Sequence, residues 1–182
     1  QKFYGELKNG LYAKYKTFAS NPLLLTIMLL TFGNCATIPD TLNEFYEQAF
    51  HTLFSEHDAT KGTYKRDIFS QLGYDDFKAV FSYFCFKSFF ESQYQFTAPQ
   101  ALRYIAASQE NGRIKLHREL NSEAYLRDLT ESVCMLVREG LVYRFAHRSF
   151  QEYFAALYTL QLSDDMQKKF LLIWIKENHF RR

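Results

Sequence analysis

The stretch Phe145-Ala146-His147-Arg148-Ser149-Phe150-Gln151-Glu152-Tyr153-Phe154-Ala155-Ala156 is the part of the chain from which the rest can be interpreted. The residues before it, 141–145, predict a short strand. They follow Gly140, a residue suited to ending a helix in the left-handed conformation. Apolar side chains then recur at helical spacing and predict a helix that starts near Arg148 or Ser149: Phe150, Tyr153, Phe154 and Leu157. His147 is therefore predicted where a strand meets a helix N-terminus, and the free backbone N–H groups and positive dipole end of such a place suit a phosphate.

A histidine at such a junction has an ordinary interpretation, as a loop residue that caps the helix or bonds locally. The whole string, however, resembles the F-x-H-x-[ST]-F-Q-E-[YF]-[FL]-A-A signature that ends the winged-helix domain of NACHT-type signal-transduction NTPases. These proteins belong to the same broad class as the NOD-like immune receptors. The match is nearly unbroken from Phe145 to Ala156. In that family the histidine contacts the β-phosphate of bound ADP and holds the receptor closed, so the resemblance implies this role for His147.

A second string, Ala19-Ser20-Asn21-Pro22-Leu23-Leu24-Leu25-Thr26-Ile27, resembles the A-x-N-P-L-L-L-T element of the first helical domain in NACHT proteins. Asn21 or Ser20 can cap a helix here, and Pro22 suits its first turn because the missing N–H would have had no partner. The leucine-rich run that follows is apolar all round and predicts a helix covered on every side. The family's proline packs against the adenine. The resemblance therefore implies that Pro22 binds the nucleotide, with Asn21 as a further candidate.

Apolar side chains that recur at helical spacing predict helices over most of the remaining chain. Thr41 and Glu44 form a capping box before the helix with the cleanest period, and residues 42–62 also resemble a NACHT segment. Residues 75–91 carry two apolar faces, which indicates contact on two sides. We further predict a helix over residues 98–109 capped by Thr97, and a short strand over residues 113–117 that pairs with residues 141–145. The last predicted helix before Gly140 starts at Asn121 or Ser122 and buries five apolar side chains: Leu126, Leu129, Val133, Leu136 and Val137.

The predicted fold is mainly α: a helical bundle, then a winged-helix domain (three helices plus a short β-hairpin), then further C-terminal helices. By the resemblance, residues 1–62 are the end of the first NACHT helical domain, 63–147 the winged-helix domain and 148–182 the start of the second helical domain. The first residue, Gln1, and the last two, Arg181 and Arg182, lead us to expect a piece of a longer protein.

Composition excludes several classes of function. The chain has 182 residues, 47% of them hydrophobic, and a net charge of +2, so no bulk charge points to nucleic acid or a membrane. Its longest apolar run, residues 22–32, is shorter than the ~20 residues of a membrane helix. The cysteines Cys35, Cys85 and Cys134 lie in apolar contexts, which predicts buried free thiols and a reducing, cytoplasmic location.

The chemistry of hydrolysis is missing from the sequence. There is no G-x-x-x-x-G-K-[ST] loop and no apolar strand ending in paired acids that could hold Mg²⁺, so this chain is not an enzyme by itself, although the resemblance implies an ATPase parent. Ser149 lacks the flanking glycines of a nucleophile elbow. His51 and His57 are six residues apart, off any shared helical face, so we discount a metal site.

The resemblance implies a nucleotide switch. ADP would lie between a P-loop domain of the parent protein, which holds Mg²⁺, and this chain, with Pro22 at the adenine and His147 at the β-phosphate. A phosphate oxygen beside His147 would favour its imidazolium form. Exchange of ADP for ATP would release the winged helix and expose surfaces for oligomerisation, in innate immunity or anti-phage defence.

Two alternatives stay open. A winged helix can bind DNA, but its recognition helix would carry more acidic than basic residues: Glu123, Asp128, Glu131 and Glu139 against Arg127 and Arg138. The basic residues Arg113, Lys115, His117 and Arg118 are interpreted as a solvated turn. The other alternative is a structural scaffold whose nucleotide site has degenerated.

Overall fold

The computed structural model describes residues 2–35, 39, 41–59 and 68–179. These residues form helices and one small antiparallel sheet, which confirms the predicted mainly α fold class. The chain divides into two compact units, residues 1–65 and 66–182. The predicted boundary at residues 62/63 lies outside the described residues, and the predicted boundary at 147/148 stays a prediction.

The first unit is entirely helical in its described part. Its elements are α1 (Lys2–Glu6), a π-helical turn (Leu7–Leu11), α2 (Tyr12–Lys14), α3 (Lys16–Ala19), α4 (Pro22–Cys35) and α5 (Leu42–Ala59). Side chains of α4 and α5 meet in a core that includes Leu24, Ile27, Phe45 and Phe50. The Thr41 hydroxyl oxygen accepts a hydrogen bond from the Glu44 N–H at 3.3 Å, as the capping box predicted.

The prediction that α4 is covered on every side is wrong. Leu24, Ile27 and Met28 are buried, whereas Leu23 is 40% exposed and Leu29 is 49% exposed. The buried residues recur at i, i+3 and i+4 and so share one face of the helix, the face that α5 covers. Because nearly every position of the leucine-rich run is apolar, the spacing of apolar residues does not show which face of α4 is buried.

The second unit has the element order of a winged helix with two further helices. Its elements are α6 (Tyr74–Phe90), β1 (Gln95–Thr97), α7 (Ala98–Ala106), α8 (Ser122–Arg127) with a π-helical turn (Asp128–Ser132), β2 (Leu136–Glu139), β3 (Val142–Phe145), α9 (Arg148–Thr159) and α10 (Asp164–His179). The sheet order is β1-β3-β2, antiparallel throughout.

Helix α6 is the centre of this unit, and its two apolar faces pack as predicted. Phe81 lies with its ring centroid 5.0 Å from that of Phe154 in α9. On another side Phe89 lies 5.3 Å from both Phe170 and Trp174 of α10. Because α6 has neighbours on more than one side, five of its eight aromatic side chains are buried: Phe77, Phe81, Phe84, Phe86 and Phe89.

The predicted strand at residues 113–117 is wrong, since these residues form a loop. The third strand is instead β1, whose Phe96 pairs with Tyr143 of β3. With three residues, β1 is too short to show an alternating pattern. Its last residue, Thr97, is also the N-cap of α7, and the Thr97 N–H donates to Gln100 Oε1 at 2.8 Å.

Gly140 has the predicted left-handed conformation, with φ of +63°, but it does not end a helix. Glu139 pairs with Val142, so Gly140 is the first residue of a two-residue hairpin loop, where a positive φ suits a type II′ turn. The helix before it ends earlier, in the π-helical turn. Leu136 and Val137 are therefore strand residues, one buried and the other exposed, as strand alternation requires.

Two smaller predictions also need correction. Helix α7 ends at Ala106 rather than at residue 109, where three turn residues follow. Cys85 is buried as predicted, but Cys134 is exposed because it follows the π-helical turn with φ of +54° instead of lying on a buried helix face. The side chain of Cys35 lies outside the described residues. In the described part of the chain, no helix is long and apolar enough to cross a membrane.

Candidate functional site

His147 lies where the sequence predicts it, between β3 and α9. Ala146 still bonds to the neighbouring strand segment, with its N–H donating to the Met135 carbonyl at 2.9 Å. The backbone of His147 is extended (φ −147°, ψ 134°), and α9 begins at the next residue. His147 is thus the N-cap of α9, with its own side chain as the cap.

The cap fixes the protonation of the imidazole ring. The Nδ1 atom accepts a hydrogen bond from the Ser149 backbone N–H at 3.2 Å and lies 2.6 Å from the Ser149 hydroxyl oxygen. A backbone N–H can only donate, so Nδ1 must keep its lone pair, and the proton of the neutral ring is on Nε2. Within the described part of the chain, Nε2 has no hydrogen-bond partner.

Burial also favours the neutral ring. His147 is half-buried, and this desolvation lowers its pKa from the ordinary value of 6.5. An imidazolium would need a proton on Nδ1 and would lose the bond from the Ser149 N–H. Burial and the bond from the Ser149 N–H therefore both favour the neutral ring over the imidazolium.

The expectation that the start of α9 offers free backbone N–H groups needs correction. The Ser149 N–H is bonded to Nδ1 of His147, and the Phe150 N–H donates to the His147 carbonyl at 3.1 Å. The histidine therefore satisfies two donors of the first turn and adds another, the imidazole Nε2–H, near the positive end of the helix dipole.

Packing explains several other positions of the signature. Phe150, Gln151, Phe154 and Ala155 are all fully buried. The Gln151 side-chain NH₂ donates to the Ser88 hydroxyl at 3.0 Å and to the Gln93 carbonyl at 2.9 Å. Gln151 therefore ties α9 to α6 and to the segment that leads into β1, a role that the sequence pattern did not reveal.

A charged pair adjoins His147 on α9. The Arg148 guanidinium lies 3.8 Å from the centroid of the Tyr94 ring, and its Nε lies 2.9 Å from Oε1 of Glu152. The two charged side chains are 25% and 23% exposed. Burial raises the pKa of Glu152, and Arg148 partly offsets this shift.

The other predicted residues lie in the first unit, at the start of α4. Asn21 Oδ1 accepts from the backbone N–H groups of Leu23 at 3.0 Å and Leu24 at 3.2 Å, so Asn21 rather than Ser20 is the cap. Its side-chain oxygen already has this local role. Pro22 is exposed and opens the helix. Pro22 and His147 belong to different units of the chain.

The face that would read DNA remains poor in positive charge. Asp128 is fully buried and does not belong to it, because its carboxylate accepts the N–H groups of Phe69 and Ser70 at 2.7 and 2.8 Å. Of the exposed residues there, Arg127 is paired with Glu131 at 2.9 Å and stacks on Phe69.

Comparison of the chain with known protein families, with curated proteins and with solved structures finds no match. The two sequence strings and the geometry around His147 are therefore the basis for any assignment of function.

Proposed function

We propose that this chain is the regulatory part of a NACHT-type signal-transduction NTPase, which closes over ADP and controls nucleotide-dependent oligomerisation. The observation that supports it best is the state of His147. The ring is fixed through Nδ1, is neutral, and keeps a proton on Nε2 for which the described residues supply no acceptor. A phosphate oxygen is an acceptor of the required kind.

The residues at the start of α4 suit the other end of a nucleotide. Pro22 is exposed and has no N–H, so it offers an apolar ring face to an adenine without a competing donor. The neighbouring N–H groups of Leu23 and Leu24 are already bonded to Asn21. We propose that Pro22 contacts the adenine and His147 the β-phosphate, while a P-loop domain of the same parent protein holds Mg²⁺ and supplies any hydrolysis.

The switch would then follow from differential affinity. A nucleotide that makes its bond to His147 in the closed state favours that state, and exchange of ADP for ATP would reduce the preference. The released winged helix would expose surfaces for oligomerisation, in immune or anti-phage defence. The imidazolium form expected beside ADP would have to overcome burial and the loss of the Ser149 N–H bond.

A purely structural scaffold is the second candidate, and one observation favours it. The buried positions of the signature are accounted for by packing alone, without any ligand. His147 and Pro22 distinguish the two candidates, because Pro22 is exposed and His147 is only half-buried.

The test is the nucleotide content of the purified full-length protein. Wild type is compared with His147→Ala, Pro22→Ala and, as a matched control, His51→Ala, which changes an exposed histidine of α5. A hydrogen bond to a charged acceptor is worth about 1.5–3 kcal/mol, so loss of the His147 bond should weaken ADP retention roughly ten- to hundredfold.

We expect ADP to be released on denaturing wild type and the His51 control, and to be depleted in the other two variants although their circular dichroism is unchanged. Equal ADP in all four proteins would mean that the proposed contacts are not made, and the scaffold would be the better description.

A further inference from the structure

A second histidine of this unit is held by a buried carboxylate. His117 lies in the loop between α7 and α8, and Asp76 lies in the first turn of α6. Asp76 Oδ1 is 2.8 Å from Nδ1 of His117, and Asp76 Oδ2 accepts the backbone N–H of the same residue at 2.9 Å. The Asp76 side chain is 8% exposed and that of His117 is 86% exposed. One buried group thus fixes both the loop and the ring.

The pairing places a proton on Nδ1 of His117, the ring nitrogen that carries no proton in His147. A carboxylate only accepts, so Nδ1 of His117 carries a proton and donates it to Asp76. The hydrogen bond and the charge of Asp76 raise the pKa of His117 above 6.5, and Asp75 adds to this effect. A solvated turn does not require a buried acid that orients a histidine in this way.

The ring of His117 borders two grooves, and the larger of them carries an excess of positive charge. The larger, of about 460 Å³, is lined by Lys78, Arg113 and Lys115 besides His117. The smaller, of about 450 Å³, is lined by Arg118 and His117. Asp75 and Asp76 also border both grooves. Besides His117, the larger groove therefore has three Lys and Arg side chains against two acids, and the smaller has one against two.

The larger groove, here called the His117 groove, also has an apolar side formed by Ile114 and Leu157. Arg113 donates to the Gln161 carbonyl at 2.9 Å through one Nη atom, which holds the side chain at the groove and leaves further guanidinium N–H donors. A volume of this size is typical of small-molecule sites. None of the residues that line it belongs to the segment 145–152.

We propose that the His117 groove binds the phosphate group of a small phosphorylated molecule. Lys78, Arg113, Lys115 and His117 would surround the phosphate, and Ile114 and Leu157 would contact the organic part. This site is separate from the proposed nucleotide contact at His147, and it does not depend on that contact.

The test follows the imidazole Cε1 protons of the whole chain by NMR. Inorganic phosphate, phenyl phosphate and chloride are added at matched ionic strength, since exposed charge interactions are screened by salt. We expect the His117 resonance to shift and saturate with inorganic phosphate and not with chloride, and phenyl phosphate to bind more tightly because of its apolar ring.

Two charge-reversal variants locate the effect. Lys115→Glu should weaken phosphate binding about tenfold or more, because it replaces an attraction by a repulsion at short range. Lys168→Glu makes the same change at an exposed residue of α10 that lines neither groove, and it should leave binding unchanged. Both positions are exposed, and equal thermal unfolding midpoints would show that the fold is kept.

Three results would overturn the proposal: a His117 shift that chloride reproduces, a shift that never saturates, or equal effects of the two variants. A phosphate-dependent shift of His147 without one at His117 would also overturn it, although the proposed nucleotide contact would then gain support.

Discussion

Replacing Ser149 by alanine tests the central feature of the candidate site, which is a His147 ring held as a neutral donor. The substitution removes the hydroxyl oxygen that lies 2.6 Å from Nδ1 and leaves the backbone N–H bond at 3.2 Å in place. A single neutral hydrogen bond contributes about 0.5–1.5 kcal/mol. ADP retention should therefore weaken about two- to tenfold, less than for His147→Ala.

The same substitution should also change the titration of His147. A hydrogen bond donated to Nδ1 stabilises the neutral ring, so its loss should raise the pKa of His147 toward the ordinary value. Burial still lowers that pKa in the variant. A higher pKa of His147 in the variant therefore reports the lost hydroxyl, because burial lowers the pKa in both proteins.

The assay is a two-dimensional spectrum of the imidazole nitrogens, recorded on the whole chain across a pH series. His117 serves as the internal comparison, because its Nδ1 donates to Asp76 and its pKa is raised. We expect His147 to titrate below 6.5 with its neutral proton on Nε2, and His117 to titrate above that value. A neutral His147 protonated on Nδ1, or one that titrates above His117, would refute the reasoning.

The remaining two predictions concern stability. Asp128→Ala should lower the free energy of unfolding by about 3–5 kcal/mol in urea denaturation, because it leaves the N–H groups of Phe69 and Ser70 without their charged acceptor. The exposed Glu123→Ala should change the free energy of unfolding by about 0.5 kcal/mol or less, and equal effects of the two variants would contradict a structural role for Asp128. Folding lowers the pKa of His147, so the unfolded chain binds more protons as the pH falls below 6.5, and acidification therefore reduces the stability of the fold. Folding raises the pKa of His117, so this residue stabilises the fold at low pH, and that contribution is lost as the pH rises through its folded pKa. Between about pH 7 and pH 5, His147→Gln should therefore lose less unfolding free energy than wild type and His117→Gln should lose more; the same pH dependence in all three proteins would show that neither ring is linked to folding.

The sequence predicts the long elements of this fold because their apolar side chains repeat often enough to define a face. Helix α6 shows this best, since Phe81 of one apolar stripe contacts Phe154 of α9 and Phe86 of the other contacts Phe170 of α10. The element β1 has three residues, and its role as the third strand depends on pairing with β3, which is distant in sequence. No local pattern carries that information.

The position of His147 in the fold was predicted, but the state of its ring was not. The strand–helix junction at His147 follows from local pattern, whereas its tautomer depends on where the Ser149 N–H points. The pair of Asp76 and His117 was missed for the same reason as β1, since 41 residues separate its members. A basic loop with a histidine gave only a weak indication, and the buried acid that orients the ring appears only in the folded chain.

The signature at the start of α9 contains two kinds of position, and they bear differently on function. Phe150, Gln151 and Phe154 are buried, and contacts within the chain are sufficient to account for them. His147 and Ser149 are only half-buried, and their mutual bond arranges a donor on Nε2 that nothing in the described chain accepts. A helix cap needs only an acceptor, which a serine or an aspartate supplies at less cost in burial. The imidazole adds to the cap a second nitrogen with a proton to donate, and the proposed nucleotide contact would use that proton.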